Sequence, residues 1–228
     1  MSAREVVLDA LSTVRDPELD EPITDLGFVE AVEFEGRNVS VTLRLPTYFC
    51  APNFAFMMAA DAKRALQPIK GIDGATIRLI DHHASDDINA GLADGLRFEE
   101  TFSGDATEGL DDLRELFRRK AFIARQERLA RHMERSGMSV GRLAALTLGQ
   151  LPQGEETDRY LEHRAALGID TSPTDPFLVG ADGNVIPEES IVQHLRFART
   201  VRISIEGNAD FCRGLLKTRY AINEEAEA

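Results

Sequence analysis

Apolar and polar positions along the chain follow two rhythms, and the switches between them outline a fold. From residue 4 to 14, Val6, Val7, Ala10, Leu11 and Val14 share one helical face. Asp16-Pro17 ends that helix, because the residue before a proline is pushed out of the α region. After an acidic loop, Glu18 to Pro22, and the stretch Thr24-Asp25-Leu26-Gly27, the apolar period shortens to two. Phe28, Val29, Ala31, Val32 and Phe34 predict a strand, Glu35 to Asn38 a turn, and Val39, Val41, Leu43 and Leu45 the returning strand of a hairpin. Helical spacing resumes at Phe54, Met57, Met58, Ala62, Ala65 and Leu66, and Ala75 to Ile80 reads as a third strand running into Asp81-His82-His83. This order, α-β-β-α-β, predicts an α+β domain over residues 1–84 with helices on one face of its sheet.

Beyond residue 84 the pattern changes. Residues 85–105 are rich in Asp, Gly, Ser and Ala with weak periodicity and read as an irregular connector. Residues 106–228 read as a mainly α-helical extension to which no known fold is assigned. A long helix runs from Leu110 to Ser136-Gly137, a short apolar one over Val140 to Leu151 is stopped by Pro152, and a third over Glu155 to Leu167 is capped by Gly168. Asp170 to Pro187 is rich in turns, with Phe177-Leu178-Val179 suited to a short edge strand. Two further helices, Glu188 to Glu206 and Ala209 to Ala221, precede an acidic tail, Asn223 to Ala228. The long helix carries Arg114, Arg118, Arg119, Arg125, Arg128 and Arg131, a basic stripe that is either a solvated face or a docking surface for an acidic partner.

Chemistry concentrates at Cys50. It lies where the second strand gives way to a helix, and Pro52 suits the first helical turn, so Cys50 is expected at or just before the N-cap. There the helix dipole favours thiolate over thiol, and a thiolate is a metal ligand or a nucleophile; a space-filling buried thiol is the alternative. In a hairpin the second strand ends beside the start of the first, which brings the loop bearing Asp16, Glu18 and Asp25 to the edge occupied by Cys50. A strand-helix-strand crossover makes the third strand parallel to the second, so His82 and His83 end at that edge too. Thiol, imidazole and carboxylate together suit iron or zinc better than magnesium or calcium. Taken singly, the acids are as well explained as turn caps and the histidines as solvated loop residues.

Composition narrows the partners. With 228 residues and 43% hydrophobic content the chain can bury a substantial core, and no apolar run approaches membrane-spanning length, so a cytoplasmic protein with no membrane association is expected. The two cysteines, Cys50 and Cys212, are too far apart in sequence to form a disulfide framework, and one chain lacks the four thiolates of an all-cysteine cluster. A formal charge of −13 disfavours nucleic acid.

The segments Asp16-Pro17-Glu18-Leu19, Ile23 to Val29, the hairpin, and Thr47 followed three residues later by Cys50 resemble, in this order and spacing, the small iron-sulfur assembly domain family that includes SufT-like proteins and the assembly subunit of phenylacetyl-CoA epoxidase. Pro46-Thr47-Tyr48 is similar to the epoxidase helper's version. The resemblance covers about residues 4 to 83. It implies the α-β-β-α-β fold and a role in building or delivering metal centres, with Cys50 as the reactive or metal-binding thiol and Asp16, Asp25 and Thr47 shaping the site around it. This sequence departs from the family in placing Ala51 between Cys50 and Pro52, and in lacking a cysteine-rich tail. The extension looks like that of proteins accompanying diiron hydrocarbon monooxygenases of the propane type.

Three functions follow from these readings. The first is a maturation factor that binds or delivers iron or an iron-sulfur cluster through Cys50, with His82 and His83 as further metal ligands, to a protein client such as a diiron monooxygenase component, with a homodimer as one way to complete the ligand set. The second is an interaction module without metal, and the third an enzyme using Cys50 as nucleophile. The enzyme is disfavoured, since the chain has no phosphate-binding glycine loop, nucleophile elbow or metalloprotease histidine pair. Glu162-His163 also lacks the spacing of a diiron carboxylate helix.

Overall fold

A computed structural model of the chain describes residues 1–102 and 110–220; the acidic tail and the last residues of the expected connector lie outside the described residues. The fold is α+β and divides into two compact units, Met1–Asp112 with Asn208–Ala228, and Leu113–Gly207.

The first unit opens with α1 (Ala3–Ser12), started by a capping box in which Ser2 Oγ accepts the Glu5 N–H at 3.2 Å and the Glu5 carboxylate accepts the Ser2 N–H at 2.6 Å. Strands β1 (Val29–Glu35) and β2 (Asn38–Arg44) form the expected hairpin, closed by Gly36-Arg37 with Gly36 at φ 61°. That positive φ is the value a two-residue hairpin turn requires, and it favours glycine. Helix α2 (Pro52–Leu66) crosses over to β3 (Gly74–Ile80), which pairs parallel to β2 from Asn38↔Gly74 to Arg44↔Ile80, in the sheet order β1-β2-β3. Val39, Val41 and Leu43 of β2 and Ile77 and Leu79 of β3 alternate into a core shared with Phe56, Ala59, Ala62 and Leu66 of α2 and Val7 and Leu11 of α1.

The stretch read as an irregular connector holds two helices, α3 (Ser85–Asp94) and α4 (Phe98–Thr101). The i, i+4 pair Ile88 and Leu92 is buried in the same core, too short a pattern to stand out among Asp, Ala and Gly. Asn89 of α3 finishes the open edge of β3: its amide oxygen accepts the Leu79 N–H at 2.8 Å and its amide nitrogen donates to the Leu79 carbonyl at 2.9 Å. A side chain thus substitutes for a fourth strand at that point, satisfying both backbone groups.

In the second unit, α5 (Leu110–Arg135, counted from its start in the first unit) is the long helix expected. The segment Val140 to Leu151 is not one helix but α6 (Val140–Ala144) and a separate 3₁₀ turn, Leu148–Gln150. Phe177-Leu178-Val179 forms no strand; it makes a single bridge, Val179↔Val185, and is held instead by buried side chains. Gln126 of α5 donates to the carbonyls of Phe177 (3.2 Å) and Val179 (3.1 Å), and from α7 (Glu155–Ala166) the Tyr160 hydroxyl donates to Phe177 (2.7 Å) and Arg164 to the Pro176 carbonyl (2.9 Å). The two helices expected at the end are one, α8 (Ile191–Tyr220), which passes straight through Gly207. A glycine inside a helix costs about 1 kcal/mol, and burial of Ile205 and Ala209 on either side offsets it.

Replacing Asn89 with Ala should leave the Leu79 N–H and C=O without their side-chain partner and lower stability by about 1–3 kcal/mol. Urea denaturation reads this directly. A loss below about 0.5 kcal/mol would mean that water covers the edge as well as the amide does.

Candidate functional site

Cys50 stands one residue before Ala51, the N-cap of α2, with Pro52 in the first helical turn. Ala51 cannot cap with its side chain; its carbonyl takes the N–H groups of Phe54 and Ala55, each at 3.1 Å, and Asn53 Oδ1 also accepts the Phe54 N–H, at 2.8 Å. These bonds occupy N–H groups of the first helical turn, the end whose dipole was expected to favour the thiolate. The polar neighbour of Cys50 Sγ is instead the Thr47 hydroxyl, at 3.3 Å, across a turn closed by the Cys50 N–H to the Thr47 carbonyl at 3.4 Å. The thiol is half-buried.

His82 is 2% exposed and has both ring nitrogens engaged. Nδ1 accepts the Ala84 N–H at 3.1 Å, which places the ring proton on Nε2, and Nε2–H donates to the Cys50 carbonyl at 2.6 Å. Burial holds its pKa below the usual histidine range, against the opposing effect of the bond to Cys50, and neighbouring His83 lowers it further. In this arrangement His82 positions Cys50 and has no lone pair to offer a metal. His83 is exposed: its Nδ1 lies 2.9 Å from the Tyr48 carbonyl, so a proton on Nδ1 leaves Nε2 as the nitrogen able to take a ligand. Its ring lies 5.8 Å from that of Phe49, which is 79% exposed, and 6.0 Å from that of Tyr48, so the three rings form an aromatic rim at the turn preceding Cys50.

Of the acids, Asp16 is drawn inside and Asp25 is not. Asp16 is 7% exposed and its Oδ1 accepts the N–H groups of Glu18 (2.8 Å) and Leu19 (2.9 Å). Burial dominates over these two bonds and raises its pKa to about 6, with the charges of Glu18 and Glu21 adding to the rise. Asp25 is exposed and accepts a hydrogen bond from Thr24 Oγ1 at 3.1 Å.

One residue to which sequence reasoning assigned no role also belongs to this unit. Cys212, near the end of α8, packs against the same core as Cys50. Its thiol is pushed up to about 11, chiefly by burial and then by the negative charges of Asp16, Cys50 and Glu18. The available signal was the spacing Asn208, Cys212, Leu216, Tyr220, one residue per helical turn along a single face. Among the described residues no group of three or more His, Cys, Asp or Glu side chains is arranged to hold a metal ion, so Cys50, His82 and His83 do not make a three-ligand set.

A carboxyl whose pKa is higher folded than unfolded binds its proton more tightly in the native state. Its contribution to stability is therefore present at low pH and lost as pH rises from about 4 through about 6. At neutral pH the ionised Asp16 costs the fold about 3 kcal/mol relative to an ordinary aspartate. Asp16→Asn keeps an oxygen for the two N–H groups and removes the charge. It should flatten stability across that interval and raise it at neutral pH by about 1–3 kcal/mol. Urea midpoints for both proteins across the interval test this, and an unchanged pH slope in the variant would assign the slope to other groups.

Residues 4–79 match the family model described as iron-sulfur cluster assembly protein. An uncharacterized protein of Methanocaldococcus jannaschii is 33% identical over 90 residues, which is 39% of this chain and 93% of the relative. No solved structure matches the chain. The family is one of assembly proteins rather than of catalysts, and no helix among the described residues is long and apolar enough to cross a membrane. Through its first unit the chain belongs to the iron-sulfur cluster assembly protein family.

Proposed function

We propose that the protein is a maturation factor that takes up iron or an iron-sulfur cluster at Cys50 and passes it to a protein client. The observation that carries this reading is the setting of Cys50: a half-buried thiol at the strand-to-helix junction, its backbone clasped by His82 and its sulfur beside the Thr47 hydroxyl, within the segment matching the family. A thiolate there can bond to a soft cation without breaking any backbone bond. His83 Nε2 is the nearby nitrogen that could join it. Because no three-ligand group exists among the described residues, the remaining positions fall to a second copy or to the client, which makes the binding transient and suits transfer.

The client is recognised by the second unit. The resemblance of the extension to that of monooxygenase-associated proteins favours a diiron monooxygenase component. The expected arginine stripe is not one solvated face: Arg125 is buried against Glu156 (3.4 Å), Arg119 pairs with Glu115, and Arg128 pairs with Glu206 (2.9 Å). Arg131, His132 and Arg135 instead line a cavity of about 500 Å³ with Leu129 and Pro152, and its acids Glu155, Glu156 and Glu206 each have an arginine partner. Such a wall suits an acidic segment of a client.

The exposed Phe49 and Tyr48 favour a second reading, a docking module that needs no metal. Anaerobic reconstitution with iron and sulfide, followed by transfer to the candidate client, separates the two. Cys50→Ser should still bind the client but lose at least about 90% of metal uptake and client activation, since serine keeps the size of cysteine and is a poorer soft-metal ligand. Full activation by Cys50→Ser would remove metal delivery and leave the docking module. A complete cluster held by a strict monomer would overturn shared ligation.

A further inference from the structure

We propose that the cavity of the second unit recognises two carboxylates separated by one residue in an extended segment of the client, and that Arg131 and Arg135 are the residues that bind them. The inference rests on the reading that the second unit takes an acidic client segment, and adds which residues hold it and what spacing they require.

The cavity, of about 500 Å³, lies wholly within the second unit. One wall is α5, with Arg128, Arg131, His132 and Arg135; opposite are the loop Pro152 to Gly154 and the first turn of α7, and Arg202 and Glu206 of α8 complete it. The Thr157 hydroxyl donates to the Pro152 carbonyl at 2.6 Å and ties the loop to α7.

Most charges here are already paired. Glu156 lies 3.4 Å from Arg125 and 3.8 Å from Arg128, Arg128 reaches Glu206 at 2.9 Å, and Glu206 also pairs with Arg202. Arg202 pairs in turn with Glu127, which meets Arg199 at 3.2 Å, while Glu155 is matched by Arg159. Arg131 and Arg135 stand outside this network. Among the described residues neither has an acidic partner, and Glu134, which precedes Arg135, does not line the cavity. In a chain of formal charge −13 these two guanidiniums are a local excess of positive charge on a concave surface.

Their spacing decides the ligand. Four residues apart on one helix, they stand one above the other with Cβ atoms about 5–6 Å apart. Alternate side chains of an extended segment share a face and recur at about 6.6 Å, so an acid-x-acid segment offers one carboxylate to each guanidinium. Each contact can then be a pair of parallel N–H···O bonds. A phosphate group suits the cavity less well. The helix start that would cradle it, the first turn of α7, already carries Glu155 and Glu156, which repel a compact dianion. Two single charges spread along α5 avoid that turn.

Full-length protein is titrated at low ionic strength against three fluorescein-labelled peptides in the same Gly-Ser frame, followed by anisotropy: one with Glu-Ala-Glu, one with Gln-Ala-Gln and one with adjacent Glu-Glu. The first should bind at least about tenfold more tightly than the second and about threefold more tightly than the third, and added salt should weaken it. Arg131→Gln and Arg135→Gln, which keep much of the alkyl stem, should each weaken it at least about fivefold, with circular dichroism and metal uptake at Cys50 unchanged. Arg131→Lys should recover only part of the loss, since it restores the charge but not the fork. Equal binding of the adjacent-acid peptide overturns the proposal, and so does displacement of the first peptide by inorganic phosphate at the peptide's own concentration. Glutamine variants that bind as the wild type does also overturn it and move acidic recognition to another surface. If the Glu-Ala-Glu and Gln-Ala-Gln peptides bind alike, the reading of an acidic client segment itself fails.

Discussion

The His82 imidazole is the tie on which the corner at Cys50 depends. It joins the end of β3 to the junction between β2 and α2 by bonds from both ring nitrogens, to the Ala84 N–H and to the Cys50 carbonyl. The turn that carries Cys50 is closed by a long 3.4 Å backbone bond and begins a helix without a side-chain cap, so its own bonding is weak. The ring must be neutral to make both contacts, because a protonated Nδ1 could not accept from Ala84. Burial keeps it neutral, and the two bonds in turn keep it buried. The clasp holds Cys50 by its carbonyl and leaves the sulfur unencumbered. That division of labour allows one residue to be rigid in its backbone and available in its side chain.

Much of this corner could be read from the chain, since strand period, hairpin connection and parallel crossover are strong local signals. They led His82 to the Cys50 carbonyl and His83 to the Tyr48 carbonyl, at the end of β2. What pattern could not supply was the state of each group once there. His82 and His83 are adjacent and chemically alike in sequence, yet one is sealed and doubly bonded while the other is exposed against an aromatic rim. Asp16 and Asp25 diverge in the same way, because burial depends on which loop α8 and the core cover. Cys212 shows the same dependence: its raised pKa comes from burial and from residues distant in sequence.

The second unit shows the same limit from the opposite direction. Its interior holds polar groups that a periodicity argument assigns to the surface. Gln126 is fully buried, donates to two carbonyls of the turn-rich segment and also meets His194 at 2.7 Å, while buried Glu127 is matched by Arg202 of α8 and by Arg199 at 3.2 Å. A segment without a strand ladder has unpaired carbonyls, and side chains from neighbouring helices must answer them. Such pairs add little net stability when compared with apolar packing, but removing one partner strands the other. They therefore fix one arrangement of an irregular segment more than they strengthen it. Gly207, which invites a break in α8 by sequence, stays helical because apolar residues on both sides of it are buried.

The buried negative charge of the first unit follows the same logic. Burying Asp16 raises its pKa and works against the fold at neutral pH, although Asn in its place would meet the same two N–H groups. Packing alone does not require the carboxylate. Its field has a chemical consequence at Cys212, whose thiol it helps keep protonated, and a protonated thiol is a poor nucleophile and slow to oxidise. The stability lost to the buried carboxylate is thus balanced by no bond that an amide could not make, and its distinct effect is electrostatic.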